Sequence, residues 1–424
     1  MERKIMNDFL RWKKDINRKP LLLYGNRQIG KTYSVLAFGE KEYKTVAYIN
    51  CENNYELLSI AKRENSVEKI VLRLALLVGE PILKKDTLIV FDNINDLDIV
   101  KMVKLFGKGE CDYHVIMITS LKENLVKFKG EELQYKYMFP VDFEEYLKAC
   151  NQNQLIDFIK DSYKNNKPIP FHQIAMDHFQ NYLMTGGLPE AIEASFHNPN
   201  FAYLNSVHQK MIDCYKRSLL FMPTLIDTTR ANEVLDIMPY QFLKPNHKFQ
   251  YGLMREGSRS KDYEAAIDFL SNNNFVYRCY KVSNVGMPLS KFKDKDSFKL
   301  YPSDTGILFY QLHLNQIKLL QDDKLKNILY ETSIANNIVS SGYNLYYYAS
   351  EGKAEVSFIV QSRLGKIVPI ELVNTNLSKA KSLTLFMNKY DIHEAIRVSE
   401  ENFSLKKGIK YIPIYATFCF KEYL

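Results

Sequence analysis

Short apolar runs set between charged, helix-like stretches organise the first third of the chain. Leu21–Leu23 is an apolar run before a glycine break, and Thr45–Asn50 (TVAYIN), Thr87–Asp92 (TLIVFD) and His114–Ser120 (HVIMITS) are rich in β-branched residues; all are too short for helices, so they read as buried strands. Between them Tyr33–Gly39 reads as a short helix with Gly39 as its C-cap. Glu64–Val78 puts Val67, Ile70, Val71, Leu74 and Leu77 on one helical face. Residues 1–19, MERKIMNDFLRWKKDINRK, form a basic amphipathic helix without the apolar core of a signal peptide. Alternating strands and helices specify an α/β fold, a parallel sheet with its ligand site at the C-terminal edge.

The pattern turns helical from Phe139 (FPVDFEEYL) to about Ser218. Within it TGGLPEA reads as a helix, a glycine break and a new helix with Pro189 near its start. Stretches 160–170 and 318–326 look like linkers. From Ala231 two helices, the second with an N-cap serine, precede strand-like Val276–Val282 and Ser297–Tyr301, joined by a loop carrying Lys291, Lys293 and Lys295. Helices followed by a hairpin suggest a winged helix-turn-helix, with Arg255, Arg259, Lys261 and Lys248 as candidates to face DNA. The remainder reads as a helix over 327–341, strands at Leu345–Ala349, Glu355–Val360 and Ile367–Leu372, a helix over 380–390 and a strand over Tyr411–Phe418. The expected division is 1–150 for nucleotide binding, 151–228 helical, 229–318 winged helix and 319–424 a C-terminal α/β unit.

Candidate chemistry centres on Gly25-Asn26-Arg27-Gln28-Ile29-Gly30-Lys31-Thr32. Its G-x-x-x-x-G-K-[ST] spacing is that of a loop whose backbone N–H groups and following helix N-terminus converge on phosphate, with Tyr33 next in line. Lys31 would reach the β- and γ-phosphates of ATP, and Thr32 would ligate Mg²⁺. Asp92, at a strand end in register with the loop, would hold the same ion through water. Thr119 and Ser120 are candidate γ-phosphate sensors or simple strand-end caps; Arg27 is a phosphate contact or a salt bridge within the loop.

Four stretches also resemble a large archaeal and bacterial group of AAA-like P-loop ATPases: GNRQIGKT, the lid signature YLMTGGLPEA (Tyr182–Ala191), the K-F-Q-Y…Y pattern of Lys248–Tyr251 with Tyr263, and FKLYPSDTGIL (Phe298–Leu308). The resemblance implies an AAA-like parallel sheet with a helical lid, a winged-helix domain and a C-terminal restriction-endonuclease-like α/β domain. It also marks departures. The water-activating Glu after Asp92 is replaced by Asn93, which cannot accept a proton, and the Gly-Arg after the sensor strand by Gly130-Glu131. In the nuclease-like segment Glu331, Glu355 and Glu371 remain, but Ser357 and Val373 stand where the family has its metal-binding Asp and its Lys. A catalytically inactive nuclease fold is the expectation.

Three functions stay open: an ATP- and ADP-binding switch with slow hydrolysis, an active ATPase whose water-activating group lies elsewhere (for instance Asp96), and a DNA-binding or scaffolding protein with structural ATP. Composition narrows this little. The chain of 424 residues is 46% hydrophobic and 25% charged with a net charge of +8, compatible with nucleic acid without requiring it. No run approaches the ~18 apolar residues of a membrane span, and six scattered cysteines without a C-x-x-C pair suit a reducing, cytoplasmic setting without zinc. His208, His247 and His313 lack metal-ligand spacing and read as surface or loop residues, and Tyr346–Tyr348 as a packed strand or a base-stacking platform. Oligomeric state is left open.

Overall fold

Apart from the edge run Thr45–Asn50, which buries only Ala47 and Ile49 on one face, the apolar runs of the N-terminal third become strands buried on both faces, the environment that parallel sheets impose. β1 (Leu21–Tyr24), β2 (Thr45–Asn50), β3 (Thr87–Asp92), β4 (His114–Thr119) and β5 (Gln134–Tyr137) form an all-parallel sheet of order β2-β3-β4-β1-β5. The computed structural model describes residues 1–424 except 109–111, 121–127, 129, 198–200, 245–246, 316–320, 351–354 and 374–379. These fall into two compact units, Met1–Phe139 and Pro140–Leu424.

In the first unit α1 (Ile5–Lys14) and α2 (Lys31–Glu42) pack through Phe9 and Phe38, ring centroids 5.2 Å apart. α3 (Tyr55–Arg63), α4 (Val67–Val78) and α5 (Leu97–Lys104) bury Leu57, Ile60, Ile70, Leu74, Ile99 and Val103 in one cluster with strand residues such as Leu22, Ile49, Ile89, Phe91 and Met117. Gly39 lies inside α2, which ends at Glu42, and serves as a gap for Val46 and Leu88 rather than as a cap. The helix expected from Glu64 starts at Val67, because Glu64 is the C-cap of a separate α3 and Ser66 the N-cap of α4.

The second unit begins with α6 (Phe143–Ala149), α7 (Asn153–Asn165), α8 (His172–Thr185), α9 (Pro189–His197), α10 (Phe201–Ser218) and α11 (Leu225–Gln241). α12 (Ser260–Asn272) leads to the hairpin β6 (Val276–Val282) and β7 (Lys293–Pro302), then α13 (Thr305–Gln311) and α14 (Asp323–Ser340). β8 (Tyr346–Ala349), β9 (Glu355–Gln361), β10 (Ile367–Leu372), α15 (Ala380–Tyr390), β11 (Ala395–Ser399), β12 (Ser404–Lys406) and β13 (Ile409–Pro413) follow. One eight-stranded mixed sheet of order β12-β13-β11-β10-β9-β8-β6-β7 runs through the unit; the hairpin joins it because β6 pairs parallel with β8.

Stretch 160–170 is not all linker, since α7 extends to Asn165. In 318–326, residues 318–320 lie outside the described residues and Asp323 already opens α14. Arg259, not a serine, is the N-cap of α12. The last strand stops at Pro413, whose fixed φ and missing N–H end the ladder; Ile414–Cys419 continue as a buried 3₁₀ turn.

Candidate nucleotide site

The loop after β1 lies at the C-terminal edge of the first sheet. Its shape depends on glycine at both ends. A Cβ at Gly25 would lie 2.4 Å from the Met138 carbonyl oxygen, and Gly30 caps α2 with φ 88°. Asn26 and Ile29 are buried, whereas Arg27 and Gln28 face solvent, Gln28 with φ 61°. Tyr33 is exposed on the first turn of α2. The loop is braced from behind by Arg3, a residue with no sequence signature. Its guanidinium donates to the Ile29 carbonyl (2.7 Å) and the Phe139 carbonyl (2.8 Å).

Lys31 is buried, and its ammonium donates to the carbonyls of Gly25 (2.9 Å) and Asn26 (2.6 Å) and to Ser120 Oγ (3.1 Å). All three acceptors are neutral. Burial therefore disfavours the charge; Asp92 opposes that effect, Arg27 adds to it, and the pKa falls to about 7. A buried ammonium on neutral acceptors is suited to an incoming polyanion.

β4 lies between β1 and β3, so its end faces both halves of the site: Thr119 stands opposite Tyr24, and Ser120 contacts Lys31. Thr119 is buried. On β3, Asp92 Oδ2 accepts from Thr32 Oγ1 (2.7 Å) and from the Tyr48 hydroxyl (3.0 Å), while Oδ1 accepts the Asn93 N–H (2.8 Å). Burial and the Asp92 carboxylate push the Tyr48 hydroxyl up to about 12, so it remains a donor. Asn93, at φ 56°, donates its amide to Asn50 Oδ1 (3.2 Å). Lys31, Thr32, Asp92 and Ser120 thus converge, and the Thr32 hydroxyl and Asp92 carboxylate are the groups here that could hold a metal ion. Asp96 accepts from the Asp98 N–H as N-cap of α5, and Glu131 is exposed.

The nuclease-like residues are arranged otherwise. Glu331 on α14 is buried and accepts from Lys299 Nζ (3.1 Å), the Tyr301 hydroxyl (2.6 Å) and His247 Nδ1 (2.8 Å). Burial alone would raise its pKa, but Lys299 and His247 hold it well below the usual carboxylate range. Lys299 also donates to Glu355 Oε1 (2.9 Å). Glu371 pairs instead with Arg397 Nε (2.8 Å). Ser357 Oγ accepts the Leu372 N–H (3.3 Å), and Val373 is partly exposed. Among the described residues no group of three or more His, Cys, Asp or Glu is arranged to hold a metal ion.

Two of the histidines depart from expectation. His208 is fully buried, its Nε2 on the Thr185 carbonyl (3.0 Å), and His247 is committed to Glu331; His313 is exposed. Tyr346–Tyr348 are buried in β8, so packing rather than base stacking accounts for them. Of the DNA candidates, Arg255 pairs with Glu233, and Arg259 and Lys261 are exposed at the start of α12 beside Asp262. Lys248 is half-buried; Lys291, Lys293 and Lys295 are exposed.

Residues 17–147 match the family model of an AAA domain. Residues 176–318 match a domain of unknown function, DUF8612, and residues 326–417 another, DUF4143. No curated protein matches the chain. A solved structure it is similar to is the Aeropyrum pernix Orc1 protein in complex with DNA, 12% identical, covering 78% of this chain and 93% of that one with a TM-score of 0.29. The N-terminal unit is an AAA-like P-loop domain in an α/β chain, and no described helix is long and apolar enough to cross a membrane.

Proposed function

We propose that the N-terminal unit binds ATP with Mg²⁺ and that the chain is a nucleotide-dependent conformational switch with slow hydrolysis. The observation that carries this reading is the convergence of Lys31, Thr32 and Asp92 behind a glycine-flanked loop of backbone amides. Residues 25–33 would cradle the triphosphate, Lys31 would neutralise its outer phosphates, and Thr32 with Asp92 would hold the hydrated magnesium. Magnesium supplies charge neutralisation across the β- and γ-phosphates when bound. Thr119 and Ser120 would report the γ-phosphate.

Slow turnover follows from the neighbouring residues. Asn93 can orient a water but cannot take its proton, and Asp96 is already engaged as a helix cap. Glu131 would repel a phosphate where the family has an arginine. Residues 151–228 would then act as the helical lid, 229–318 as a winged helix and 319–424 as an inactive nuclease-like domain. Single-turnover assays test the proposal. The wild type should convert bound ATP slowly, Asn93→Glu should accelerate conversion at least tenfold, and Lys31→Ala should bind no ATP. Fast wild-type turnover unaffected by Asn93→Glu would contradict it.

DNA contact is a second reading, favoured by the exposed Lys291 just before β7 and the exposed Lys293 and Lys295 in its first residues, where the sequence alone suggested a loop. The solvent side of α12 carries Glu264 and Asp268 as well as Lys261, so contact would run through phosphate at the hairpin rather than through base recognition. Replacing the three lysines by Ala should weaken duplex binding about equally for all sequences and flatten its salt dependence.

A further inference from the structure

Glu331 and Glu355 are the two acids around which a metal-dependent nuclease site would be built, and they do meet, on α14 and β9. What lies between them is Lys299, delivered by β7 of the hairpin. Its ammonium is buried, 3.1 Å from Glu331 Oε1 and 2.9 Å from Glu355 Oε1, and lies over the Tyr347 ring at 5.0 Å. Glu331 also accepts from Tyr301 and His247. These residues do not fit a resident divalent cation. Such an ion needs oxygen ligands within ~2.0–2.6 Å on several sides, and here the facing oxygens are already taken by protein donors. The third acid, Glu371, is drawn away by Arg397.

We infer that Lys299 is a tethered counter-cation standing in for the divalent metal, so that Glu331 and Glu355 clamp the β6–β7 hairpin to α14 and β9 without any ion. Removing the ammonium would leave the buried Glu331 and the half-buried Glu355 carboxylates facing each other uncompensated, whereas with it the three groups form an internal bolt. The segment 229–318 and the C-terminal sheet are thereby joined through charge as well as through the β6–β8 ladder.

Mn²⁺ uptake by the full-length, nucleotide-free protein, followed by the paramagnetic resonance signal of the free ion, tests this alongside thermal melting. Wild type and Glu355→Gln should take up equal amounts of Mn²⁺. Lys299→Met should melt roughly 6–10 °C lower, regain part of that loss in millimolar Mn²⁺, and be less destabilised when combined with Glu355→Gln. Wild-type Mn²⁺ uptake that disappears in Glu355→Gln, or a Lys299→Met protein as stable as wild type, would overturn the inference. Should Lys299→Met fail to fold, the comparison of wild type with Glu355→Gln decides alone.

Discussion

Lys31 is the residue whose state should change most on nucleotide binding. Its pKa near 7 in the free loop arises from burial against neutral acceptors, and a triphosphate would raise it. At pH 8 the free protein carries this amine mostly neutral, so binding should take up close to one proton; at pH 5.5 uptake should vanish because the amine is already charged. Calorimetry in buffers of different ionisation enthalpy measures this, and Lys31→Ala should abolish it. Tyr48 makes a second case. By holding Asp92 Oδ2 alongside Thr32 it fixes the carboxylate, so Tyr48→Phe should weaken ATP binding with Mg²⁺ about ten- to a hundredfold, the loss of a hydrogen bond to a charged group, and leave Mg²⁺-free binding unchanged. Lys31 and Thr32 are legible in the sequence because they close a G-x-x-x-x-G-K-[ST] pattern, and Asp92 because it ends an apolar strand run; the structure brings the three together. Tyr48 and Arg3 are not, since their partners lie on other elements and nothing local marks them.

At the scale of elements, the stretches that carry the resemblance outside the first unit are joints. Gly187 N–H meets Asp304 of FKLYPSDTGIL (2.5 Å), whose other oxygen caps α13 through the Ile307 N–H (3.0 Å). A Cβ at Gly186, φ 70°, would lie 2.1 Å from the same carboxylate. Gly186→Ala should therefore destabilise the second unit by about 3 kcal/mol or more, combining left-handed backbone strain with a buried clash; urea denaturation measures it. Phe249 of the K-F-Q-Y pattern stacks on Phe298 (5.4 Å) and donates its N–H to the Phe298 carbonyl. The apolar strands and the amphipathic helices were readable from periodicity. β5 (QYKY) was not, because an edge strand with polar faces carries no apolar alternation signal. β11 (AIRVS) hid because Arg397 is buried only by virtue of Glu371 on the neighbouring strand.

For the whole molecule, there are two compact units: the first holds the candidate nucleotide site, and the second carries the interlocked motifs and the ion cluster. Glu331 has a depressed pKa in the folded state, so its contribution to stability is present above its ordinary pKa of 4.5 and is lost as pH falls below it. Melting of the second unit should fall between pH 5 and 3, and Glu331→Gln should flatten that slope while starting from a lower midpoint. The central claim, that this chain grips a magnesium-bound triphosphate through the loop ending at Lys31 and Thr32, is tested most directly by titrating ATP into the full-length protein by calorimetry with and without Mg²⁺. The account predicts saturable one-site binding that tightens with Mg²⁺ and is lost in Lys31→Ala although that variant remains folded. Absence of binding by folded wild type, or binding equally strong in Lys31→Ala, would contradict it.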